Sequence, residues 1–428
     1  MKIAITDGHV IDPRNQINGK QDIYIQDDKV IAVGKKPDGF SADLSIDATN
    51  KIVSPGFVDI CARLREPGQE HKGTILSETR AAAASGVTSL CMPPDTTPVI
   101  DTPAVIELIH QRNEEAGFCR VYTMGALTTG LAGEHLTEMA HLKAAGCVGV
   151  SNVMKCIDNP QVMRRAMEYA ASVDLTVFLH AQDAGLANHG CAHEGMVSTR
   201  LGLAGIPEAA ETQAVANFLM LVEQTGARIH FCRLTTSRAI QMISRAKYDG
   251  FDLTADVAAH QLHLTEMDIG YFNSQCHVQP PLRTERDRDA LRQAVANSQI
   301  EAICSDHQPH DVDAKLAPFP ATEPGISALE TLLPLTLRLV NEGVLTLSEM
   351  VDRLSTTPAE ILGLNAGHLG EDAPADLVIF DPNKHWVFKP MNMLSHGQNT
   401  PFANWEFQGQ VYKTICKGQV VYSNEHQL

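Results

Sequence analysis

The sequence predicts an α/β chain, a TIM-type (β/α)8 barrel with a small β-sandwich domain formed from both chain termini. Three observations carry this. Short apolar runs alternate with longer helical patterns through the middle of the chain. Both ends read instead as strands, with alternating segments such as DIYIQ and KVIAV near the start. The length, 428 residues, suits one large barrel with an added small domain, or two to three smaller domains.

In chain order, KIAITDGHVID and QDIYIQDDKVIAVG suggest half-buried antiparallel strands. Eight candidate barrel strands follow: IVSPGFVDI (52–60), VTSLCM (87–92), RVYTMGA (120–126), CVGVS (147–151), LTVFLH (175–180), RIHFC (228–232), FDLTADV (251–257) and EAICSD (301–306). Amphipathic helices separate them, among them PQVMRRAMEYAASV and PEAAETQAVANFLMLVEQTG. The end of the chain returns to strands, ADLVIFDP and VYKTICKGQVVYS. The domains are therefore drawn as 1–51 plus 366–428 for the small unit and 52–365 for the barrel. A doubly wound open sheet competes, but no GxGxxG turn supports it.

Formal net charge is -17, with no compensating basic stretch, so a nucleic-acid partner is not expected. No stretch approaches the ~20 apolar residues of a membrane span, and the N-terminus has no apolar run of signal-peptide length. The ten cysteines form no CxxC pair and several lie in apolar runs, the usage of buried free thiols. A cytoplasmic location is expected.

Barrels of this kind build their chemistry at the C-terminal ends of the strands. Those ends here carry Asp59, Cys61, Arg63 and Arg65 after strand one, and Asp95 after strand two. Asn152 follows strand four, His180 ends strand five, and His230, Cys232 and Arg233 lie on or after strand six. His260 and His263 follow strand seven, Gln279 precedes PPLR, and Asp306, His307 and His310 end strand eight. His230 reads as a core or supporting histidine. His260 and His263 are open between structural and functional roles.

The motifs PGFVDxxxxLREPG, MPxxTxP, HAQD, GMVSTRLGLAGIPEAAE, PPLR and SDHQPH occur in this order. GISALETLLPL, TPAEILGL and a PADLVIFDP…NTPFANWEFQGQVYKTICKGQVVY tail follow. Over essentially its whole length the chain resembles bacterial dihydroorotases of the long type, within the amidohydrolase superfamily. The resemblance implies a zinc site of two histidines after strand one, a bridging Asp or carboxylated Lys on strand four, one His on each of strands five and six, and an Asp on strand eight that is also the general base. At those positions this chain has Cys61, Arg63, Asn152, His180, Arg233 and Asp306, so only His180 and Asp306 are retained. Lys155 lies three residues past the bridging position. Of the substrate-holding positions the resemblance implies, Arg65 and His310 remain, while Asp95 and Gln279 replace two asparagines.

Guanidinium offers only N–H donors and stays protonated, so Arg63 and Arg233 cannot ligate a cation. At ~4 Å and an effective dielectric near 20, each repels a unit positive charge by about 4 kcal/mol. A buried Asp306 without metal needs another positive partner, and the two arginines are placed to supply it to Asp306 or Asp59. The expectation is a pseudoenzyme without zinc or another cofactor. The resemblance to inactive relatives further implies a dimeric structural subunit for the catalytic chain of aspartate carbamoyltransferase, in pyrimidine biosynthesis. Two alternatives stand. One is an active zinc-dependent cyclic-amide hydrolase with a reduced site, for which Cys61, His180 and Asp306 would be the donors. The other is a sensor that keeps Arg65 and His310 for an anionic ligand.

Overall fold

The computed structural model describes residues 1–425. Strands β1 (Lys2–Asp12), β2 (Ile17–Gln26) and β3 (Lys29–Val33) form an antiparallel meander. β4 (Leu44–Asp47) and β5 (Ile52–Pro55) both lie parallel to β1.

The chain then enters the barrel through β6 (Phe57–Asp59), β7 (Val87–Met92), β8 (Arg120–Ala126), β9 (Gly149–Ser151) and β10 (Thr176–His180). A short parallel pair, β11 (Ala192–His193) and β12 (Gly205–Ile206), sits in the long excursion after β10. β13 (Ile229–Cys232), β14 (Leu253–Ala258) and β15 (Ala302–Cys304) complete the eight parallel barrel strands. The first and last strands meet just beyond their ends. Ala62 and His307 form a bridge, Arg63 N–H donates to His307 O at 2.9 Å, and Ser305 N–H donates to Asp59 Oδ1 at 3.0 Å.

β16 (Leu377–Val387), β17 (Glu406–Cys416) and β18 (Gln419–Ser423) return to the N-terminal strands, with β5 between β1 and β16. Both termini thus build one hydrogen-bonded sheet. It encloses its own apolar core, in which Ile3, Ile23, Ile46, Val53, Leu377 and Ile415 are buried together.

The run 52–60, expected as one strand, is two. Ile52–Pro55 pairs with the terminal sheet and only Phe57–Asp59 joins the barrel, so the small unit extends past the expected boundary at 51. The cause is local. Pro55 has no N–H to continue a ladder, and a Cβ at Gly56 would lie 2.1 Å from Thr88 Oγ1. Only glycine admits that approach. The helices over 160–172 and 208–225 follow the expected patterns. Asn159 caps the first with Pro160 at its first turn, and left-handed Gly226 ends the second. All ten cysteines are free, but Cys156 is exposed rather than buried, because it sits on the loop after β9.

The C-terminal segment braces the barrel mouth. Glu78, wholly buried, accepts from Ser395 Oγ at 2.6 Å and His396 N–H at 3.0 Å, and meets His307 Nε2 at 2.8 Å. Asn399 donates to Gln308 O and Gly325 O and accepts from His310 N–H. The loop after β15 is therefore held from behind by residues far away in sequence.

Candidate functional site

The C-terminal ends of β6, β7, β13 and β15 bring two arginines and two aspartates together. Arg233 Nη1 donates to Asp306 Oδ1 at 2.7 Å, and both side chains are buried. Arg63 donates through Nε to Asp95 Oδ2 at 2.7 Å, and its Nη1 lies 3.5 Å from the same Asp306 oxygen. The other Asp306 oxygen accepts from Gln308 Nε2 at 3.1 Å. The result is a chain of alternating charge, Asp95–Arg63–Asp306–Arg233. Both arginines turn inward, as the charge argument requires. Asp59 takes no arginine. It accepts from Ser305 N–H, the Ser305 hydroxyl and Cys61 N–H instead.

Burial pushes the Asp306 carboxyl up, but Arg233 and then Arg63 outweigh it and hold the group below its ordinary range. Asp95 is likewise held low by Arg63 against burial. Arg233 is raised well above its ordinary value, Asp306 overcoming the cost of burial. Desolvation raises the Cys61 thiol to about 12, so it is neutral and poorly nucleophilic. The backbone bears the cost of this convergence: Arg65, Arg233 and Asp306 all have left-handed φ, at 67°, 53° and 49°. For residues with a Cβ that conformation is strained.

The other positions fall as follows. His180 ends β10 with both ring nitrogens buried and unpartnered, and burial, then Arg233, lowers it to about 3. Asn152 is consumed locally, accepting from Thr128 Oγ1 at 2.8 Å and donating to Lys155 O at 3.0 Å. Lys155 itself is exposed. Arg65 donates to Pro309 O at 2.9 Å and lies 3.2 Å from His310 Nε2, which is also 3.0 Å from Pro324 O. Gln279 is half-buried, with no side-chain hydrogen bond among the described residues. His230 is a core residue, held by Thr254 Oγ1 at 2.8 Å and Asp256 Oδ2 at 2.9 Å. His260 lies within a short 3-10 turn, near Asp306, and His263 caps the turn and is bonded to Leu335 O.

The cavity bordered by Arg63, Arg65, Gln69 and Asp95 measures about 10 Å³, at the lower limit for a single water. A larger space of about 500 Å³ lies to the side, bordered by Asn152, Phe178, His180, Gln182 and Phe218. Arg65, Asp95, Asp306 and His310 do not line it.

The residues present do not fit a zinc ion. Cys61 Sγ and Asp306 Oδ1 are 3.7 Å apart, but the Arg233 guanidinium lies between their roles, 3.6 Å from one and 2.7 Å from the other. His180 does not complete a three-donor set with them. Among the described residues only His230, Cys232 and Asp256 converge as three potential donors, and both His230 nitrogens are already hydrogen-bonded. The reading of Cys61, His180 and Asp306 as a reduced metal site is therefore not supported by their positions.

The sequence marks Asp95 as replacing an asparagine of the resembled pattern but does not name its partner, Arg63. The signal was available: Arg63 and Asp95 depart together from the resembled pattern, with opposite charges, after adjacent strands. Gln308 was not singled out at all.

The architecture and the strand-end site define an amidohydrolase-type barrel. The Dihydro-orotase-like family matches residues 50–239 and the Amidohydrolase family matches 327–422. The chain belongs to the dihydroorotase-like family. It is 49% identical over 422 residues to a "Dihydroorotase-like protein" of Pseudomonas aeruginosa, covering 99% of this chain and 100% of that one. It is 42% identical over 422 residues to a "Dihydroorotase" of Syntrophotalea carbinolica, covering 99% of each. Among solved structures, the L-hydantoinase of Arthrobacter aurescens superposes with a TM-score of 0.89 at 22% identity, covering 100% of this chain and 97% of that one. That likeness concerns the fold. Among the described residues no helix is long and apolar enough to cross a membrane.

Proposed function

We propose that this chain is a non-catalytic dihydroorotase homologue, holding no zinc at the barrel mouth, that serves as a structural subunit for the catalytic chain of aspartate carbamoyltransferase in pyrimidine biosynthesis. The observation that carries the loss of catalysis is the Arg233–Asp306 ion pair. The carboxylate that would take the attacking water's proton is engaged instead by a guanidinium, which stays protonated and offers no lone pair to a metal. Among the described residues no set of three metal donors converges at the mouth, where a bound ion would acidify the water. The partner role rests on the family resemblance.

Metal analysis of the purified chain together with a dihydroorotate ring-opening assay tests the first half. Stoichiometric zinc with turnover would establish the alternative, an active zinc-dependent cyclic-amide hydrolase. Co-expression with the carbamoyltransferase catalytic chain tests the second half. The expected result is a stable mixed assembly with higher carbamoyltransferase activity than the catalytic chain alone. No co-assembly and no change in activity would remove the partner role.

A further inference from the structure

We infer that a cleft between the helix Leu332–Asn341 and strands β16–β18 is a binding site for a small organic ammonium ion, held by the Glu330 carboxylate and by aromatic side chains. The cleft measures about 250 Å³ and shares no lining residue with either cavity described above.

Glu330 is the one acid on its lining. Its Oε1 accepts from Leu394 N–H at 2.9 Å and Ser395 N–H at 3.1 Å. Its Oε2 has no protein partner among the described residues, and no lysine, arginine or histidine there pairs with it. Lys389, the one base on the lining, is exposed. A carboxylate withdrawn from water can only accept, so it calls for a donor that carries charge. Burial, helped by the neighbouring Glu78, pushes the Glu330 carboxyl up to about 7 against the two N–H groups. Glu78 is itself bonded to His307, and the Tyr422 phenol on β18 is near enough to feel the Glu330 charge.

The walls suit the body of such an ion. Trp386, Phe388 and Tyr422 supply aromatic surface, and Leu333, Met393 and Val411 are aliphatic. Trp386 is fixed, its Nε1 donating to Gly409 O at 2.9 Å and its ring packing edge-on to Phe388 at 5.7 Å. A fixed wall lowers the ordering cost of binding. Aromatic rings attract cations, tryptophan most of all. Glu330 repels an anion, and a neutral molecule would bury the carboxylate without pairing it. The volume lies below the ~300 Å³ at which pockets for drug-sized ligands begin, so the ion is small.

A bound cation favours the ionised carboxylate, so binding releases a proton and strengthens as pH rises through 7. A group titrating near 7 is about one-tenth ionised at pH 6 and about nine-tenths at pH 8, which makes the expected gain about tenfold.

The test titrates choline, butylammonium and the uncharged choline isostere 3,3-dimethylbutan-1-ol into the full-length chain at pH 6 and pH 8 by calorimetry. Wild type is compared with Glu330→Gln and Trp386→Leu, with thermal unfolding as the control for folding. The expected result is binding of at least one ammonium ion, about tenfold tighter at pH 8, at least tenfold weaker in Glu330→Gln and weakened in Trp386→Leu, with no binding of the isostere. Because the pH and isostere comparisons use wild type alone, they hold whether or not either variant folds. No binding of either ammonium ion at pH 8 would overturn the site. Binding of the isostere as tightly as choline would overturn cation recognition, and affinity that is the same at both pH values or in Glu330→Gln would overturn the role of the carboxylate.

Discussion

Arg233 and Asp306 meet at 2.7 Å at the barrel mouth, reaching across β14 from the ends of β13 and β15, each with left-handed backbone. Arg63 extends the pair to Asp95, so two guanidiniums and two carboxylates neutralise one another, with Arg63, Arg233 and Asp306 buried and Asp95 partly open to solvent. A buried acid kept ionised needs such pairing. The four residues therefore form one electrostatic unit, and changing one should be felt by the rest.

Arg233→Met leaves Asp306 with the longer ion pair to Arg63 and the hydrogen bond from Gln308. Breaking a buried pair from one side costs about 3–5 kcal/mol; the remaining arginine places the expected loss toward the lower end. Adding Asp306→Leu should recover most of it, because no uncompensated charge is then left. Urea denaturation of the single and double variants measures this. Additive losses would show that the two residues are not coupled.

Restoring the donors should restore the metal. Cys61→His, Arg63→His, Asn152→Asp and Arg233→His, with Asp95→Asn to avoid orphaning that carboxylate, surround retained His180 and Asp306 with lone pairs in place of cations. The expected outcome is tight zinc binding by elemental analysis of the dialysed variant. A folded variant that takes up no zinc would show that the strand ends have moved, and that the arginines are not what excludes the ion.

Much of this was legible in the sequence. The eight barrel strands follow from apolar runs between helical patterns, because a parallel barrel buries both faces of its strands. VTSLCM and RVYTMGA are found with the expected bounds. What sequence alone could not give was contact between distant strand ends. Arg63–Asp95 links adjacent strands, but Arg63–Asp306 and Glu78–Ser395 join residues that only barrel closure and the returning C-terminus bring together. The split at Pro55–Gly56 was hidden because IVSPGFVDI is apolar on both sides of a junction that steric contact with Thr88 decides.

Two buried carboxyls give the protein an opposing pH response. Burial pushes Asp59 and Glu330 up to about 7 each, against the hydrogen bonds they accept. Unfolded carboxyls titrate near ~4. Between these values the folded state retains protons that the unfolded state has released, so stability falls as pH rises toward 7. Asp306 and Asp95 act oppositely: their folded values are lowered, and their contribution is lost as pH falls below the unfolded value. Glu330→Gln should therefore flatten the decline in stability between pH 5.5 and 7.5, measured by guanidinium denaturation at both. An unchanged slope would mean that Glu330 is ionised throughout.

His180 offers the sharpest separation between relic and ligand. Both its ring nitrogens are buried at the edge of the 500 Å³ cavity with no well-formed protein hydrogen bond, and burial together with Arg233 lowers it to about 3, so it is a neutral imidazole. Such a group costs roughly 1–3 kcal/mol relative to a satisfied one. His180→Leu keeps an apolar body of similar size beside Phe178 and removes that cost. Stability in urea should hold or rise by about 1 kcal/mol, with metal content and carbamoyltransferase activation unchanged. A histidine that bound an ion would behave in the reverse way, since its loss would forfeit both the ion and the stability that binding confers. A drop of more than about 2 kcal/mol in His180→Leu, on the scale of a broken buried interaction, would show that the imidazole has a partner.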